Sequence, residues 1–553
     1  MYLGIDVGGT HTDGALLADD FSLAGSVKVP TRPGDVLGSF LAALEPLLAA
    51  ADPRRARRLV VSSTLGLNAV LTGRADPVGV LAVGGPGLPP DLSGQPLALT
   101  LAGGQDHRGE VISPLKGGEA EKAAAALKEQ GAAAFAVISK FGPKNPGFEE
   151  TLARAVEQAA PGSPLTRASR LSGRLGFPRR LNTAVFNSAV TRLYQAFTRD
   201  LEAAARRAGL TCPVQLLASD GGPLSLDEAA ASPARILAAG PAAGLLGLWS
   251  LTGLPGDALM LDVGGTSSDL ALLADGRPLM YADGLEIAGR PTFVRAFLTH
   301  SLPLGGDSSL AAANGAVTVG PERRGPALAL APGDLGRRPP TLSDALNVLG
   351  LTELGEVDIS RRALERLASA APEETARKAL ATALASLKMA ADFLLRRVNQ
   401  RPVYTVDAIR LARPLKPEKA AILGGPAQAL AKPLAEALGL PTVAPEEAGV
   451  ANAIGAALAR PTLSAELYAD TALGTLSIPT LGLSRAIDRA YSLRQAERDL
   501  LEALGEIREK TPEAGPLHIT EAESFHQLSG YGRSDKIIRV RAQAAPGLLG
   551  GRP

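Results

Sequence analysis

One fourteen-residue pattern occurs twice in this chain and constrains its fold more than any other feature. Residues 6–19 and 262–275 are identical at eleven of the fourteen positions, and each copy starts with Asp-Val-Gly-Gly-Thr. In both copies an apolar run precedes the first aspartate and another follows the turn, which is typical of a β-hairpin. Two such copies, half a chain apart, predict two similar domains that face each other.

The overall composition narrows the class of protein. A chain of 553 residues is too long for one hydrophobic core, and its 46% hydrophobic and 20% charged residues are typical of folded globular proteins. The formal net charge is only +1, so the basic field that nucleic-acid binding requires is absent from the sequence. The single cysteine, Cys212, cannot form an internal disulfide, which predicts a reducing, cytoplasmic location.

The sequence predicts no membrane association. Met1 leads directly into an apolar strand pattern, without the features of a signal peptide. Residues 236–254 carry no charge and are nearly long enough to span a bilayer. Because this segment contains Pro241 and several glycines, we interpret it as a buried helix with its exit loop.

Between and after the two hairpins, strand-like and helix-like segments alternate, which predicts α/β domains. Long helices are expected at 180–208 and 375–399, and residues 321–340 are expected to form an irregular loop. Beyond residue 460 the pattern weakens, and only one charged helix, at 492–510, is predicted there. The predicted domains are residues 1–245, 246–460 and a C-terminal extension, 461–553.

The two glycine turns have the composition of phosphate-binding loops. Glycine lacks a Cβ atom, so the backbone N–H groups of such a turn can approach phosphate oxygens closely. Asp6 and Asp262, at the strand ends, are suited to hold Mg²⁺ directly or through its waters. The predicted phosphate-binding residues are Gly8, Gly9, Thr10, Thr12, Gly264, Gly265, Thr266 and Ser267. An ordinary tight hairpin is the alternative for either copy alone.

A third glycine pair follows a predicted strand and opens a predicted helix. Gly424 and Gly425 lie between the apolar residues 419–423 and the helix predicted at 427–438, where a purine or ribose could lie against the backbone. Together with two phosphate turns, this order predicts the ATP cleft of an actin-like ATPase, a duplicated ribonuclease H-like fold with two lobes. Residues 449–457 are small, and we interpret them as a closely packed structural helix.

Three further residues are candidate substrate contacts. Asp220 lies in a Ser-Asp-Gly-Gly turn after the strand predicted at 213–217. His300 precedes Leu-Gly-Gly-Asp-Ser-Ser, which contains Asp307 and has the composition of another backbone cradle. A histidine outside a recognised site is more often a hydrogen-bonded scaffold residue than a ligand, and that alternative stays open for His300.

The order of these motifs resembles the hydantoinase/oxoprolinase family, in particular A-type subunits of N-methylhydantoinase, 5-oxoprolinase and acetone carboxylase. The resemblance extends from Met1 to about Arg460, and residues after that point match only as a shortened tail. The stretches that carry it are 4–13, 63–69, 181–184, 218–222, 239–244, 262–269, 300–310, 319–321 and 340–345.

The resemblance implies MgATP bound between two lobes and used to phosphorylate the oxygen of a cyclic amide, such as a hydantoin or 5-oxoproline. It also implies that Asp6, Asp13, Asp262 and Asp269 organise Mg²⁺ and the attacking groups. A B-type partner subunit and a homo-oligomeric assembly are further expectations. The chain departs from the family at three places: it has Val-Ser-Ser-Thr at 61–64, Asp307 in the cradle and Leu328 in place of a cysteine.

Two other functions stay open on the sequence alone. A small-molecule kinase shares this fold and needs an aspartate base near the acceptor hydroxyl, for which Asp220 and Asp307 are candidates. An ATP-dependent carboxylase or activator subunit is the second alternative, since a fold by itself does not determine a reaction.

Overall fold

Two sheets with the same strand order form the centre of this computed structural model, which describes residues 1–32, 34–49, 51–87, 89, 91–400, 413–529 and 533–551. In each sheet, three antiparallel strands are extended by two parallel strands. The first parallel strand pairs with the first strand of the antiparallel set, and the second pairs with the first parallel strand. One continuous group of buried apolar residues joins the two sheets. The predicted duplication is therefore present in the topology as well as in the motif.

Each of the two central sheets has six strands among the described residues. The first sheet contains, in spatial order, Pro223–Ser225, Val214–Leu217, Arg58–Ser63, Tyr2–Val7, His11–Leu17 and Leu23–Pro30. The second contains Arg277–Pro278, Ser268–Ala274, Ala258–Val263, Lys419–Leu423 and Thr442–Val443, and Thr299–Leu302 pairs beside Ser268–Ala274. Short two-stranded sheets are formed by Gly104–Gln105 with Val111–Ser113, Glu286–Ile287 with Arg290–Pro291, and Leu310–Ala313 with Ala316–Val319.

Both predicted hairpins are confirmed, with equivalent register. Asp6 pairs with Asp13 across the first hairpin, and Asp262 pairs with Asp269 across the second. Paired residues in a sheet project from the same face. Each hairpin therefore presents two carboxylates on one side, close to its glycine turn.

Helices cover both central sheets, and the long ones lie close to the predicted positions. The α-helices of the described residues are Val36–Ala49, Leu65–Leu71, Glu119–Glu129, Gly147–Ala159, Ala168–Leu171, Phe177–Arg207, Leu226–Ala231, Ala239–Thr252, Leu342–Val348, Val357–Leu367, Pro372–Asn399, Ala427–Leu438, Ala451–Leu458 and Leu493–Glu509. Ala239–Thr252 is buried along almost its whole length, so the uncharged segment is the core helix expected from its sequence. Within the described part of the chain, no helix is both long and apolar enough to cross a membrane.

A smaller parallel sheet is inserted into the first half of the chain. Its strands, in spatial order, are Leu165–Arg167, Ala134–Ser139, Val78–Val83 and Ala98–Leu101. Alternate residues of these strands pack on opposite sides, against Glu119–Glu129 and Gly147–Ala159 on one face and Phe177–Arg207 on the other. This burial on both faces explains why the central strands are continuously apolar.

The C-terminal region forms a sheet, whereas its sequence predicts only a helix. Five antiparallel strands are present, in the order Leu483–Ala486, Thr475–Ile478, Leu463–Asp470, Arg533–Ala544 and Leu517–Ser529. Leu493–Glu509 packs on this sheet and shares a separate apolar core with it. Polar residues alternate with apolar ones along these strands, and polar side chains such as Asp470 are buried on the second face, so no continuous apolar run marks the strands in the sequence.

The helix Ala451–Leu458 contacts the rest of the molecule backbone to backbone. A Cβ on Gly4 would lie 1.9 Å from the carbonyl oxygen of Ala453, and one on Gly247 would lie 1.9 Å from that of Ala451. A Cβ on Gly455 would lie 2.1 Å from the carbonyl oxygen of Ala243. This helix is thereby pressed against both the strand Tyr2–Val7 and the helix Ala239–Thr252, as its small residues predict.

Candidate functional site

Four aspartates from the two hairpins share one region between the central sheets, where Asp6 and Asp13 are buried and Asp262 and Asp269 are half-buried. Asp6 is 5% exposed, and burial, followed by the charge of Asp13, raises its pKa to about 6. Burial raises the pKa of Asp262 to about 8, with further contributions from Asp269 and Asp6. These mutual effects show that the hairpins bring the four predicted aspartates together.

Asn452 connects the two lobes at the level of the aspartates. Its side-chain Nδ2 donates to Asp6 Oδ2 at 3.1 Å and lies 3.4 Å from Asp262 Oδ2. Asn452 lies in the first turn of Ala451–Leu458, which is held rigidly by its glycine contacts. One amide group therefore fixes the separation of the two carboxylates.

The second aspartate of each hairpin has its own polar partner. Lys28 Nζ lies 2.6 Å from Asp13 Oδ1, and Ser301 Oγ donates to Asp269 Oδ1. Burial raises the pKa of both carboxyls, while Lys28 opposes the increase at Asp13 and Ser301 opposes it at Asp269. Asp13 and Asp269 are thus held in fixed orientations behind Asp6 and Asp262.

The glycines of the predicted phosphate turns fall into two groups. A Cβ on Gly8 would lie 2.9 Å from His11 O, and one on Gly264 would lie 3.2 Å from Ser267 O, so both glycines are closely packed against the backbone of their own turns. Gly9, in contrast, has no atom within 4 Å of its Cβ position, although its turn is tight. That open space is the feature expected where a ligand approaches the backbone.

Gly424 and Gly425 also differ from each other in the space around their Cβ positions. Gly424 has a φ of +102°, and its Cβ would lie 2.0 Å from Val263 O, so the fold requires glycine there. No atom lies within 4 Å of the Cβ position of Gly425. Gly425 therefore offers open backbone at the start of Ala427–Leu438, in the second lobe.

The hydroxyl residues of the turns are not equivalent. Thr12 is fully buried, and its hydroxyl is hydrogen-bonded to that of Thr31 at 2.9 Å, while Thr31 donates to Gly8 O. Thr12 therefore supports the first turn from behind and does not reach its open surface. Thr10 and Ser267 are half-buried, and Thr266 is exposed.

Asp307 lies against the second turn. Its backbone N–H donates to Gly265 O at 2.8 Å, and its carboxylate forms an ion pair with Arg323 at 3.0 Å. Burial raises the pKa of Asp307, and Arg323 opposes that increase. Asp307 thus belongs to the cleft, as its position in the glycine-rich cradle suggests.

Asp220 and His300 lie outside the group of four aspartates. The carboxylate of Asp220 accepts from Gly222 N at 3.1 Å and Thr462 Oγ1 at 2.9 Å, and Arg295 lies 3.7 Å away. His300 pairs with Leu270, on the sheet face opposite to Ser301, and its ring contacts Phe393 at 5.0 Å between centroids. The strand alternation therefore turns His300 towards the helix Pro372–Asn399.

The carboxylate region suits a cation that is also coordinated by phosphate. Asp6 Oδ1 is buried and has no hydrogen-bond partner among the described residues. The described residues also contain no set of three or more His, Cys, Asp or Glu arranged as a complete metal site. Mg²⁺ is usually held by one or two carboxylates together with substrate phosphates and water, so the residues present fit that mode.

Sequence reasoning misses three residues that the structure adds to the region. Asn452 has a signal in the sequence, because it is the one polar residue among the small residues 449–457. Lys28 and Arg323 have none, since the first lies on a strand that is not predicted and the second lies in the irregular segment 321–340.

Comparisons with known proteins agree with the duplicated topology. The structure of nucleotide-free acetone carboxylase superposes with a TM-score of 0.73 at 18% identity, covering 98% of this chain and 87% of that chain. ATP-dependent caprolactamase from Pseudomonas jessenii gives a TM-score of 0.68 at 19% identity, with the same coverage of 98% and 87%. The chain therefore has the actin-like ATPase fold.

Sequence comparison gives one curated relative and two family matches. The uncharacterized protein MJ0964 of Methanocaldococcus jannaschii is 23% identical over 418 residues, which are 66% of this chain and 60% of the relative. The chain thus spans less than two thirds of that relative's length. The Hydantoinase/oxoprolinase N-terminal region matches residues 2–160, and the Hydantoinase/oxoprolinase family matches residues 180–465. Because these two matches cover most of the sequence, the protein belongs to the hydantoinase/oxoprolinase family.

Proposed function

We propose that this protein is an ATP-dependent hydrolase of a cyclic amide of the hydantoin or 5-oxoproline type. The observation that carries the proposal is the pair Asp6 and Asp262, which face each other between two glycine turns and share the amide of Asn452. Such an arrangement suits a phosphoryl group held between two lobes. The ATP-dependent caprolactamase that shares the fold is named for a lactam, which supports this substrate class.

In this proposal the two lobes are residues 1–245 and 246–460, and each contributes one half of the site. Asp6 and Asp262 hold Mg²⁺, which supplies positive charge to the phosphates when it is bound. The open turn at Gly9 and the residues Gly265 and Thr266 bind phosphate oxygens, and Gly425 accommodates the nucleoside. Asp13 and Asp269 keep Asp6 and Asp262 oriented and position the attacking group.

The chemical purpose of ATP is to improve a poor electrophile. An unstrained amide carbonyl resists water, but phosphorylation of its oxygen makes the carbonyl carbon a much better electrophile. Water adds to that carbon, and the C–N bond breaks with the proton taken up by the ring nitrogen, which leaves an acyl phosphate. A second water releases phosphate from it, so the products are the ring-opened amino acid derivative, ADP and phosphate. The chain's contribution is electrostatic, because backbone N–H groups directed at the moving phosphoryl group stabilise its charge.

A carboxylase is the second candidate function. It uses the same carbonyl-phosphorylation chemistry on a ketone, and the acetone carboxylase structure supports it through its fold and name.

A kinase is less well supported, because both candidate bases are engaged: Asp220 by Thr462 and a backbone amide, and Asp307 by Arg323. A B-type partner subunit, self-association and a cytoplasmic location belong to the same proposal.

The experiment is phosphate release from MgATP by the purified chain, alone and with 5-oxoproline, hydantoin, N-methylhydantoin or caprolactam. Stimulation by one lactam supports the proposal and identifies the ring. Stimulation only by a ketone with bicarbonate supports the carboxylase instead. If the chain neither binds ATP nor releases phosphate under any of these conditions, with a candidate partner subunit included, the proposal is wrong.

A further inference from the structure

A carboxylate lies where the two phosphate turns meet. Asp307 Oδ2 is 2.9 Å from the position that a Cβ on Gly265 would take, and Thr10 Cγ2 of the first turn is 3.3 Å from that position. The backbone of this segment runs along the second turn, because Gly306 N donates to Gly264 O at 2.9 Å. Asp307 is therefore fixed beside both turns by the main chain.

A lone carboxylate in this place would oppose the proposed function. Turns rich in free N–H groups attract anions, and an aspartate facing them repels the phosphates that they are suited to bind. The side chain of Asp307 is only 15% exposed, so solvent screens this repulsion poorly. A neighbouring cation is required if the site is to accept a nucleoside triphosphate.

Arg323 supplies that cation in a defined orientation. Its Nε donates to Asp307 Oδ2 at 3.1 Å, and its Nη2 lies 3.0 Å from the same oxygen as an ion pair. The loop that carries it is fastened to the cradle, since Ser309 N donates to Glu322 O and Gly320 N donates to Ser309 O, both at 2.9 Å. Its remaining nitrogen, Nη1, makes no hydrogen bond within the described part of the chain.

We propose that Arg323 contacts the terminal phosphate of the bound nucleoside triphosphate, with Asp307 as the positioning residue that orients its guanidinium. The inference rests on the proposed function and adds a residue to it. A guanidinium that reaches the transferring phosphoryl group neutralises charge as the bond to the leaving phosphate breaks. Asp307, which departs from the family's glycine at this position, holds the arginine at the junction of the lobes.

The neighbouring arginine provides a matched control. Arg324 lies in the same loop and pairs with Glu322, but both side chains are at least 60% exposed. Exposed pairs of this kind contribute little. Substitution of Arg324 therefore tests the general effect of removing one positive charge from this loop.

The test compares Arg323→Gln, Arg323→Lys and Arg324→Gln in the full-length protein. Phosphate release gives kcat, and titration with a fluorescent ATP analogue gives nucleotide affinity. We expect Arg323→Gln to lower kcat by about 100-fold or more, with nucleotide affinity within about fivefold of wild type. Arg323→Lys should recover only part of the loss, because a lysine cannot bind Asp307 and phosphate in one plane. Arg324→Gln should stay within about twofold of wild type.

A double variant separates the positioning role from simple charge removal. Asp307→Gly should lower kcat less than Arg323→Gln does, and the double variant should be no worse than Arg323→Gln alone, because the two residues act as a unit. Full turnover in Arg323→Gln, in an assay where Asp262→Asn is inactive, overturns this inference and leaves the proposed function intact. Absence of ATP binding and turnover in the wild-type protein overturns both.

Discussion

Lys28 Nζ lies 2.6 Å from Asp13 Oδ1 and also donates to Gly449 O at 2.8 Å. The lysine thus connects the strand Leu23–Pro30, which pairs with the second strand of the first hairpin, to the 3-10 helix Glu446–Val450 that precedes the helix Ala451–Leu458. It is also the cation that opposes the raised pKa values of Asp6 and Asp13. One side chain therefore links the charge of the carboxylate region to the arrangement of the lobes.

Replacement of Lys28 by methionine should reduce catalysis more than folding. The variant keeps the apolar stem of the side chain and loses the contacts to Asp13 and Gly449, so turnover should fall by about tenfold or more. Phosphate release and thermal unfolding are measured in parallel. Lys122→Met, on the exposed face of Glu119–Glu129, is the control and should leave both unchanged. Equal turnover in the two variants would contradict the role given to Lys28.

Neutralising either aspartate that is proposed to hold Mg²⁺ should abolish turnover and leave the fold more stable. Asp6→Asn and Asp262→Asn each remove a buried charge from a group of four carboxylates, and that charge costs folding energy in the absence of Mg²⁺. In EDTA near pH 9, where both carboxyls are ionised, we expect Tm to rise by about 2–4 °C for each variant. Differential scanning fluorimetry measures the change in Tm, and phosphate release measures the loss of turnover. A variant with wild-type turnover would falsify the assignment of Asp6 and Asp262.

Asn452 should act through the two carboxylates that it bridges. Asn452→Ala removes the donor shared by Asp6 and Asp262, and a loss of about 10–100-fold in turnover is expected. Asn452→Asp should be worse, because it places a fifth carboxylate among four. The Mg²⁺ concentration for half-maximal rate should rise more than the KM for ATP, whereas a general loss of structure would change both together.

The glycines should separate into ligand-contacting and structural positions. Gly9→Ala and Gly425→Ala fill space in which no protein atom lies within 4 Å, so Tm should be unchanged while nucleotide affinity falls about tenfold. Gly424→Ala should prevent folding, since its φ of +102° and its contact with Val263 O exclude a side chain. Gly117→Ala, at an equally open position in the inserted region, is the control for affinity. Unchanged affinity in both open-turn variants would contradict the proposed cradle.

Asp257 should make folding sensitive to acid. Hydrogen bonds from Arg413 hold its pKa at about 2, below its usual value of 3.8, so the stabilisation is present above pH 4 and disappears as the pH falls through about 2. Asp257→Asn should lower the free energy of unfolding by about 1–3 kcal/mol at pH 7. The difference between the variant and wild type should narrow between pH 4 and pH 2. Urea titrations across this range measure it, and a constant difference would exclude the ion pair as its cause.

The repeat, the hairpins and the strand before Gly424 are predictable from sequence because their signals are local. A glycine pair after an apolar strand has few structural alternatives, so Asp6 and Asp262 are found where the pattern puts them. The glycines alone do not reveal which of them face open space, because that depends also on atoms of other segments, such as Val263 O beside Gly424.

Other parts of the site depend on contacts between distant segments. Asn452 reaches Asp6 across more than four hundred residues of sequence, and Asp220 reaches Thr462 across more than two hundred. The face of the strand on which a side chain lies also determines whether it reaches the site. His300 and Ser301 are neighbours in sequence, but Ser301 contacts Asp269 whereas His300 contacts Phe393. The C-terminal sheet is missed for a related reason, since its strands have one polar face.

The glycine contacts of Ala451–Leu458 determine how the cleft can open. Any rotation of the lobes that preserves the backbone contacts at Gly4, Gly247 and Gly455 must have its axis close to this helix. Asp6 and Asp262 lie beside that axis, while Thr10 and Gly265 lie farther out, at the tips of the turns. A given angle therefore moves the tips by a longer arc than the carboxylates, so we expect the entrance to widen for the proposed nucleotide while the acidic pair stays assembled.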